Sequence, residues 1–228
     1  MTRLRRPVDK MIRLLLPALL LVVPAAAGQT RPPAAETARA LQQRYDQVKD
    51  FSADFLHTYE GGVLKRKQPT ERGTVQVKKP GRMRWEYTSP EKKTFVSDGR
   101  MIYSHVPADK QVIRSAMPAE DEATTAVLFL AGKGNLTRDF NVSYVDGGAA
   151  DTWTLRLDPK LKQRDYDWLV VEVDRKSLQI RGLTAADQQG GRSTFKFSNY
   201  RENTGIDDKV FVFKIPRGTD VINAGSGR

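Results

Sequence analysis

The sequence predicts a mainly β protein, a single antiparallel sheet of about eleven strands curling toward a closed or nearly closed barrel, with two or three helices beside it. Three observations carry this. Apolar residues alternate with polar ones in run after run from Phe51 onward. Turn signals separate these runs at short intervals. Within the 228 residues, no internal repeat, long linker or composition break divides the chain beyond its N-terminal leader. So many consecutive strands do not stay flat.

The chain opens on a different pattern. Arg3, Arg5, Arg6, Lys10 and Arg13 precede the apolar run 14–23, and Ala25-Ala26-Ala27 comes after it. A charged segment, a short apolar segment and a small-residue site make a signal peptide over residues 1–27, with cleavage expected after Ala27. The run is short for a bilayer span and contains Pro17. A start at Met11 would still leave a short signal peptide. Arg5-Arg6 hints at twin-arginine export, but the rest of that motif is missing, and general secretion fits better. The domain proper is read as 28–223, with a flexible Gly/Ser tail at 224–228.

Residues 29–35 form a Pro-rich leader. A helix is expected over 36–49, where Ala38, Leu41, Tyr45 and Val48 fall at helical spacing. The period then switches to two at Phe51, Ala53 and Phe55. After a basic loop at 61–70, strands are expected at 73–79, 82–87, 92–97, 100–105 and 111–115. In the run 82–87, Met83, Trp85 and Tyr87 share one face while Arg82, Arg84 and Glu86 share the other. Asp98-Gly99 is a strong hairpin signal, read as a type I′ turn with both central residues at positive φ.

The stretch 118–133 breaks the strand pattern. Glu120, Asp121 and Glu122 suit the positive end of a helix over 123–132, and Gly132 supplies its stop. Val127, Leu128, Phe129 and Leu130 make that helix apolar nearly all round, so it is buried on more than one side or covers an apolar cavity. Strands are expected again at 140–145, 152–157, 166–174, 178–187, 192–200 and 210–215.

Composition narrows the function. There is no cysteine, which excludes disulfides, thiolate metal sites, a cysteine nucleophile and a lipid-bearing cysteine after the leader. Formal net charge is +11, and removing residues 1–27 (five bases, one acid) leaves +7. The excess lies in 65–93, ten Lys/Arg against Glu71, Glu86 and Glu91. In an exported protein such charge suits anionic membranes or acidic protein patches rather than nucleic acid. Lys65, Arg66, Lys67 and Arg84 are the candidates for docking a partner, although solvated strand faces carry such residues as well.

No catalytic constellation is evident. His57 and His105 have no fixed partner in the sequence, and metal-ligand spacing, a nucleophile elbow and a phosphate loop are all missing. No cofactor or metal is expected. The inner face, with Phe55, Val75, Val77, Met83, Trp85, Tyr87 and Phe95, together with Val127–Leu130, reads either as a plain packed core or as a lidded cavity open to an acyl chain.

The order of several segments resembles the periplasmic outer-membrane lipoprotein carrier family. They are the N-terminal helix with 51–57, the run Lys79-Pro80-Gly81-Arg82-Met83-Arg84-Trp85-Glu86-Tyr87, Val96-Ser97-Asp98-Gly99 and Leu128-Phe129-Leu130-Ala131-Gly132. Phe195-Lys196-Phe197-Ser198-Asn199, 211–216 and 218–222 complete the set. This resemblance implies an unclosed β-barrel of eleven antiparallel strands with helices as a lid. It implies a monomeric, non-enzymatic periplasmic chaperone. Acylated lipoproteins would pass to it from an inner-membrane ABC transporter and leave toward an outer-membrane receptor. The family usually has an arginine just before the motif proline, bonding the lid helix backbone. Here Lys79 stands there, keeping the charge without the planar fork of donors, and it becomes the candidate latch. Alternatives from other classes are an envelope sensor acting through an anti-sigma factor or sensor protein, and an exported hydrolase. The pathway's own receptor is a lipoprotein, and a chain without cysteine does not fit it.

Overall fold

From Asp50 the backbone settles into strands because β-branched and aromatic residues alternate with polar ones, so that one face of each strand can be buried. The computed structural model describes residues 31–61, 68–117, 130–132, 134–163 and 166–224. The chain divides into two compact units, Met1–Arg31 and Pro32–Arg228, and every described element lies in the second. The expected signal peptide, the tail beyond residue 224, the acidic start of the mid-chain helix, Val127, Leu128, Phe129, and Lys65, Arg66 and Lys67 fall outside the described residues.

Helix α1 spans Ala34–Asp46 and ends three residues before the sequence predicts. Strands come next as β1 (Asp50–Glu60), β2 (Glu71–Lys78), β3 (Arg82–Ser89), β4 (Lys93–Asp98), β5 (Met101–Val106) and β6 (Gln111–Ala116). A short helix α2 (Leu136–Asp139) leads into β7 (Phe140–Tyr144), β8 (Thr152–Pro159), β9 (Trp168–Asp174), β10 (Ile180–Ala186), β11 (Arg192–Glu202) and β12 (Asp220–Asn223). Asn135 starts α2 by accepting hydrogen bonds from the Thr137 and Arg138 amides.

All twelve strands form one sheet in the order β12-β6-β5-β4-β3-β2-β1-β11-β10-β9-β8-β7. Edges β12 and β7 are not paired with each other, so the barrel is unclosed. It is nonetheless strongly curled. Trp85 on β3 lies 5.1 Å from Phe195 on β11, ring centre to ring centre, although β2 and β1 stand between them. In a flat sheet three strand spacings would separate them by about 14 Å.

Three expectations need correction. The Asp98-Gly99 hairpin forms, but only Gly99 has positive φ, at +96°. The Asp98 carboxylate accepts from the Arg100 and Met101 amides, and this side-chain turn replaces type I′ geometry. The strand expected at 210–215 is absent. Asp207 accepts from the Lys209 amide and starts a short 3-10 helix at Asp208–Phe211. This segment packs on the outer face of β3 and β4. The last strand is β12 instead, and it runs parallel to β6, so the sheet is not wholly antiparallel.

Candidate functional site

Alternation along β1, β2 and β3 delivers one continuous apolar face. Phe55, Val75, Val77, Met83, Trp85 and Tyr87 are all buried, from 0% to 9% exposed, and Phe95 packs against them half-buried. Phe55 is central, with ring centres of Trp85, Tyr87 and Phe195 at 5.1, 4.8 and 5.8 Å in tilted or edge geometry. Leu155, Leu169, Val171 and Leu183 continue the face on the far wall. Each fully buried side chain of this size contributes about 1.5–3 kcal/mol. Trp85 carries one uncompensated group, since its buried indole Nε1 has no partner among the described residues. Among the described residues the side chains of the inner face pack against one another.

The cover is α1 together with Leu130 and Ala131. Leu41 and Tyr45 of α1 join the same cluster as the sheet's inner face, as does Leu130 at 1% exposure. Leu130 is helical and Gly132 stands just past it at φ +82°, the left-handed stop expected of it. These pieces meet at the β2–β3 turn. Lys79 Nζ donates to the Tyr45 backbone carbonyl and sits 3.8 Å above the centre of its ring. The Tyr45 hydroxyl then donates to the Leu130 carbonyl at 2.5 Å. The Gly81 amide donates to the Ala131 carbonyl at 2.9 Å, and the Lys79 amide to the Lys49 carbonyl at 2.8 Å.

Among the described residues, then, Lys79 reaches the lid through Tyr45. Burial pushes the Lys79 amine down to about 8 against the pull of Asp46 and Glu202. Burial likewise pushes the Tyr45 hydroxyl up, keeping it a donor. An open cavity of about 450 Å³ lies beside Lys79, lined by Gln42, Asp46, Lys49 and Gly132 among others. Its lining carries three lysines, Lys49, Lys78 and Lys79, against one carboxylate, Asp46, together with Tyr45 and Val48 of the apolar cluster.

At the other end of the same face the lining turns polar. His57 shares the face with Phe55, and register sets it opposite Glu71 on β2 and Phe195 on β11. His57 Nδ1 and Glu71 Oε2 are 2.8 Å apart, and His57 Nε2 and Ser193 Oγ are 2.8 Å apart. Lys93 closes the row on the second oxygen of Glu71. The imidazole stacks on Phe195 at 4.2 Å. Burial works against ionising Glu71, but hydrogen bonds from Lys93 and His57 outweigh it and hold the carboxyl below its usual range.

Ser193, His57 and Glu71 have the connectivity of a nucleophile relay. Ser193, the second residue of β11, is however paired to Tyr59 on one side and Ala185 on the other. Backbone amides committed to two ladders supply no oxyanion hole. No group of three or more metal-binding side chains occurs among the described residues.

Arg84 faces outward as alternation requires. Its guanidinium holds Glu86 at 2.7 Å and the Val210 carbonyl at 3.2 Å. Lys78 and Arg82 similarly hold Asp208 at 2.5 and 3.5 Å. These outer-face bases therefore clamp the 206–213 segment onto the sheet. The Tyr45 relay and the His57–Glu71–Lys93–Ser193 row escape a reading of the sequence alone. The one signal for the row is the β1–β2 register, which pairs His57 with Glu71.

Fold and site together define a lidded half-barrel with an apolar interior. The family model described as outer membrane lipoprotein carrier protein LolA matches residues 46–214, and the chain belongs to that family. It is 32% identical over 190 residues to the outer-membrane lipoprotein carrier protein of Chromohalobacter salexigens, covering 82% of this chain and 87% of that one. It is 28% identical over 205 residues to that of Chromobacterium violaceum, covering 90% and 96%. Among solved structures, a LolA superfamily protein from Nitrosomonas europaea aligns at a TM-score of 0.42 and 14% identity, covering 77% of this chain and 97% of that one.

Proposed function

We propose that this protein is a non-catalytic periplasmic chaperone that carries acylated lipoproteins to the outer membrane within the apolar interior of its half-barrel. Its supply is an inner-membrane ABC transporter, and its acceptor an outer-membrane receptor. The observation that carries this is the continuous apolar face from β1 to β4 and β8 to β11, closed over by a cover that packs on it through Leu41, Tyr45 and Leu130 and is tied down by hydrogen bonds at the β2–β3 turn. The relatives' shared name supports it.

The energetics explain both halves of the design. At about 0.8 kcal/mol per buried CH₂, one long acyl chain in water represents on the order of 10 kcal/mol. Only a large apolar surface offsets that. A cover held by a few hydrogen bonds, each with a net worth of about 1 kcal/mol, and by a few buried side chains whose apolar contacts an acyl chain can replace, can be displaced by such a chain. Phe55, Trp85 and Tyr87 then repack against acyl carbon instead of each other. Lys79 is the latch in this scheme. Arg84, tied to Glu86 and Val210, is a weaker docking candidate than the sequence suggests.

Mass spectrometry of the mature protein purified from the periplasm tests the reading. Co-purifying triacylated lipoprotein, lost in Trp85→Glu, is the expected result. A protein that is empty, and that also releases no lipoprotein from inner-membrane spheroplasts, would overturn it.

A further inference from the structure

The inner face is not uniform along its length, and the gradient has a direction. On β1 the inward residues run Phe51, Ala53, Phe55 and then His57. On β2 they run Val77, Val75, Gly73 and then Glu71. On β4 they run Ser97, Phe95 and then Lys93, and on β11 Phe197, Phe195 and then Ser193. Polar residues from four strands thus converge at one end, the end that leads into the β1–β2 connection at 61–70. Lys79 stands just past the opposite end of β2, about 26 Å from Glu71 at 3.3 Å per residue.

The converging groups are not a surface cluster. The side chains of His57, Glu71 and Lys93 are only 16%, 17% and 23% exposed. They rest on aromatic rings, His57 on Phe195 at 4.2 Å and Lys93 over Tyr87 at 5.1 Å. Burying an acid, a base and an imidazole against aromatic rings is costly unless they are paired. The row satisfies them and still keeps capacity. Lys93 has three N–H donors and gives one to Glu71. Ser193 bonds His57 through an oxygen that has further lone pairs. Deeper along the same wall, Trp85 Nε1 is a buried donor without a partner among the described residues. Together these make a short polar shelf at the end of an otherwise apolar trough, the complement of an amphiphile with carbonyl-rich polar linkage at one end of its acyl chains.

We propose that the His57–Glu71–Lys93–Ser193 row binds the ester- and amide-bearing head of the acylated cargo, so that the acyl chains point toward the Lys79 latch and the peptide leaves beside the β1–β2 connection. This rests on the carrier reading and assigns the cargo's polarity within the half-barrel. Lys93 donates to an ester or amide carbonyl, Ser193 accepts from an amide N–H, and Glu71 and His57 hold these two groups in place.

Two probes test this on the full mature chain, a synthetic diacylglyceryl-cysteine lipopeptide and an uncharged alkyl chain of equal length without the head. Ser193→Ala and Lys93→Met are expected to weaken lipopeptide binding by about tenfold each while leaving alkyl-chain binding within twofold of wild type. Equal losses for both probes, or no loss for either, would overturn the head site while leaving the carrier reading standing. Wild-type protein that binds neither probe would overturn both. Because the chain has no cysteine, spin labels at Glu60→Cys and Gln47→Cys give an independent readout with a nitroxide on the peptide head. A shorter distance from position 60 is expected, and a shorter distance from position 47 would overturn the assignment.

Discussion

Lys79 lies directly beneath Gly132, so close that a Cβ on the glycine would stand 2.6 Å from Lys79 Cδ and 3.0 Å from its Cγ. The glycine is needed twice over, since φ there is +82°. Gly132→Ala therefore forces both a left-handed alanine, at about 1–2 kcal/mol, and a displacement of Lys79 from the Tyr45 carbonyl. The closed state should lose stability while the sheet keeps its fold. Faster entry of an alkyl probe with an unchanged far-UV spectrum is the expected measurement, and an entry rate equal to wild type would count against the latch.

Tyr45 should matter as much as Lys79. Its hydroxyl is the link from the β2–β3 turn to Leu130, at 2.5 Å. Tyr45→Phe keeps the ring under Lys79 and leaves the buried Leu130 carbonyl without this donor, a cost of about 1–3 kcal/mol. Hydrogen exchange at the Gly81 amide, which donates to Ala131, should accelerate roughly tenfold. Protection equal to wild type would show that the lid is held by packing alone.

The strand pattern, the inward set around Trp85 and the N-terminal helix are all legible in the sequence, because alternation and helical spacing are local signals, whereas Lys79 enters only through the family resemblance. What is not legible depends on partners distant in the chain. Tyr45 reads as one more apolar helix residue, and nothing local says that its hydroxyl meets position 130. His57 reads as partnerless because Glu71 and Ser193 reach it only through the register of β1 with β2 and β11. The run 210–215 alternates like a strand. Whether it pairs is decided by the Asp207 cap and by Lys78, Arg82 and Arg84, which hold the segment on the outer face.

Gly73 should tolerate no side chain, for a reason of space. It sits across from Phe55 on β1 and Tyr87 on β3. A Cβ there would fall 2.0 Å from the Glu86 carbonyl oxygen and 2.7 Å from Phe55 Cζ. The first of these is backbone and cannot rotate away. Gly73→Ala should destabilise by about 1–3 kcal/mol or more through overpacking. Trp85→Phe, by contrast, removes a buried N–H that bonds nothing among the described residues, and its midpoint in urea should fall much less than that of Gly73→Ala. A Gly73→Ala midpoint equal to wild type would mean that β2 and β3 can part at this point.

The latch should tighten as pH rises, the reverse of what a simple salt bridge would do. In the closed state burial holds Lys79 at about 8, while exposed to water it returns toward its ordinary 10.5. The open state therefore binds more protons between these values, and removing protons favours the closed state. Asp46, Glu202 and Arg44 face Lys79 as charged neighbours, and Lys49 and Lys78 line the cavity beside it. Burial pushes the Tyr45 and Tyr200 hydroxyls upward, out of that window. The closed-to-open ratio should climb from about pH 8 toward 10.5, approaching tenfold per pH unit. Entry of an uncharged alkyl probe should slow accordingly. In Lys79→Arg the guanidinium stays charged throughout, and the slope should vanish while a donor to Tyr45 remains. Lys79→Leu should lose the latch altogether and show fast, pH-independent entry. A Lys79→Arg protein with the wild-type slope would locate the titration elsewhere, and Lys79→Leu that transfers lipoprotein as well as wild type would leave Lys79 without a role in the cycle.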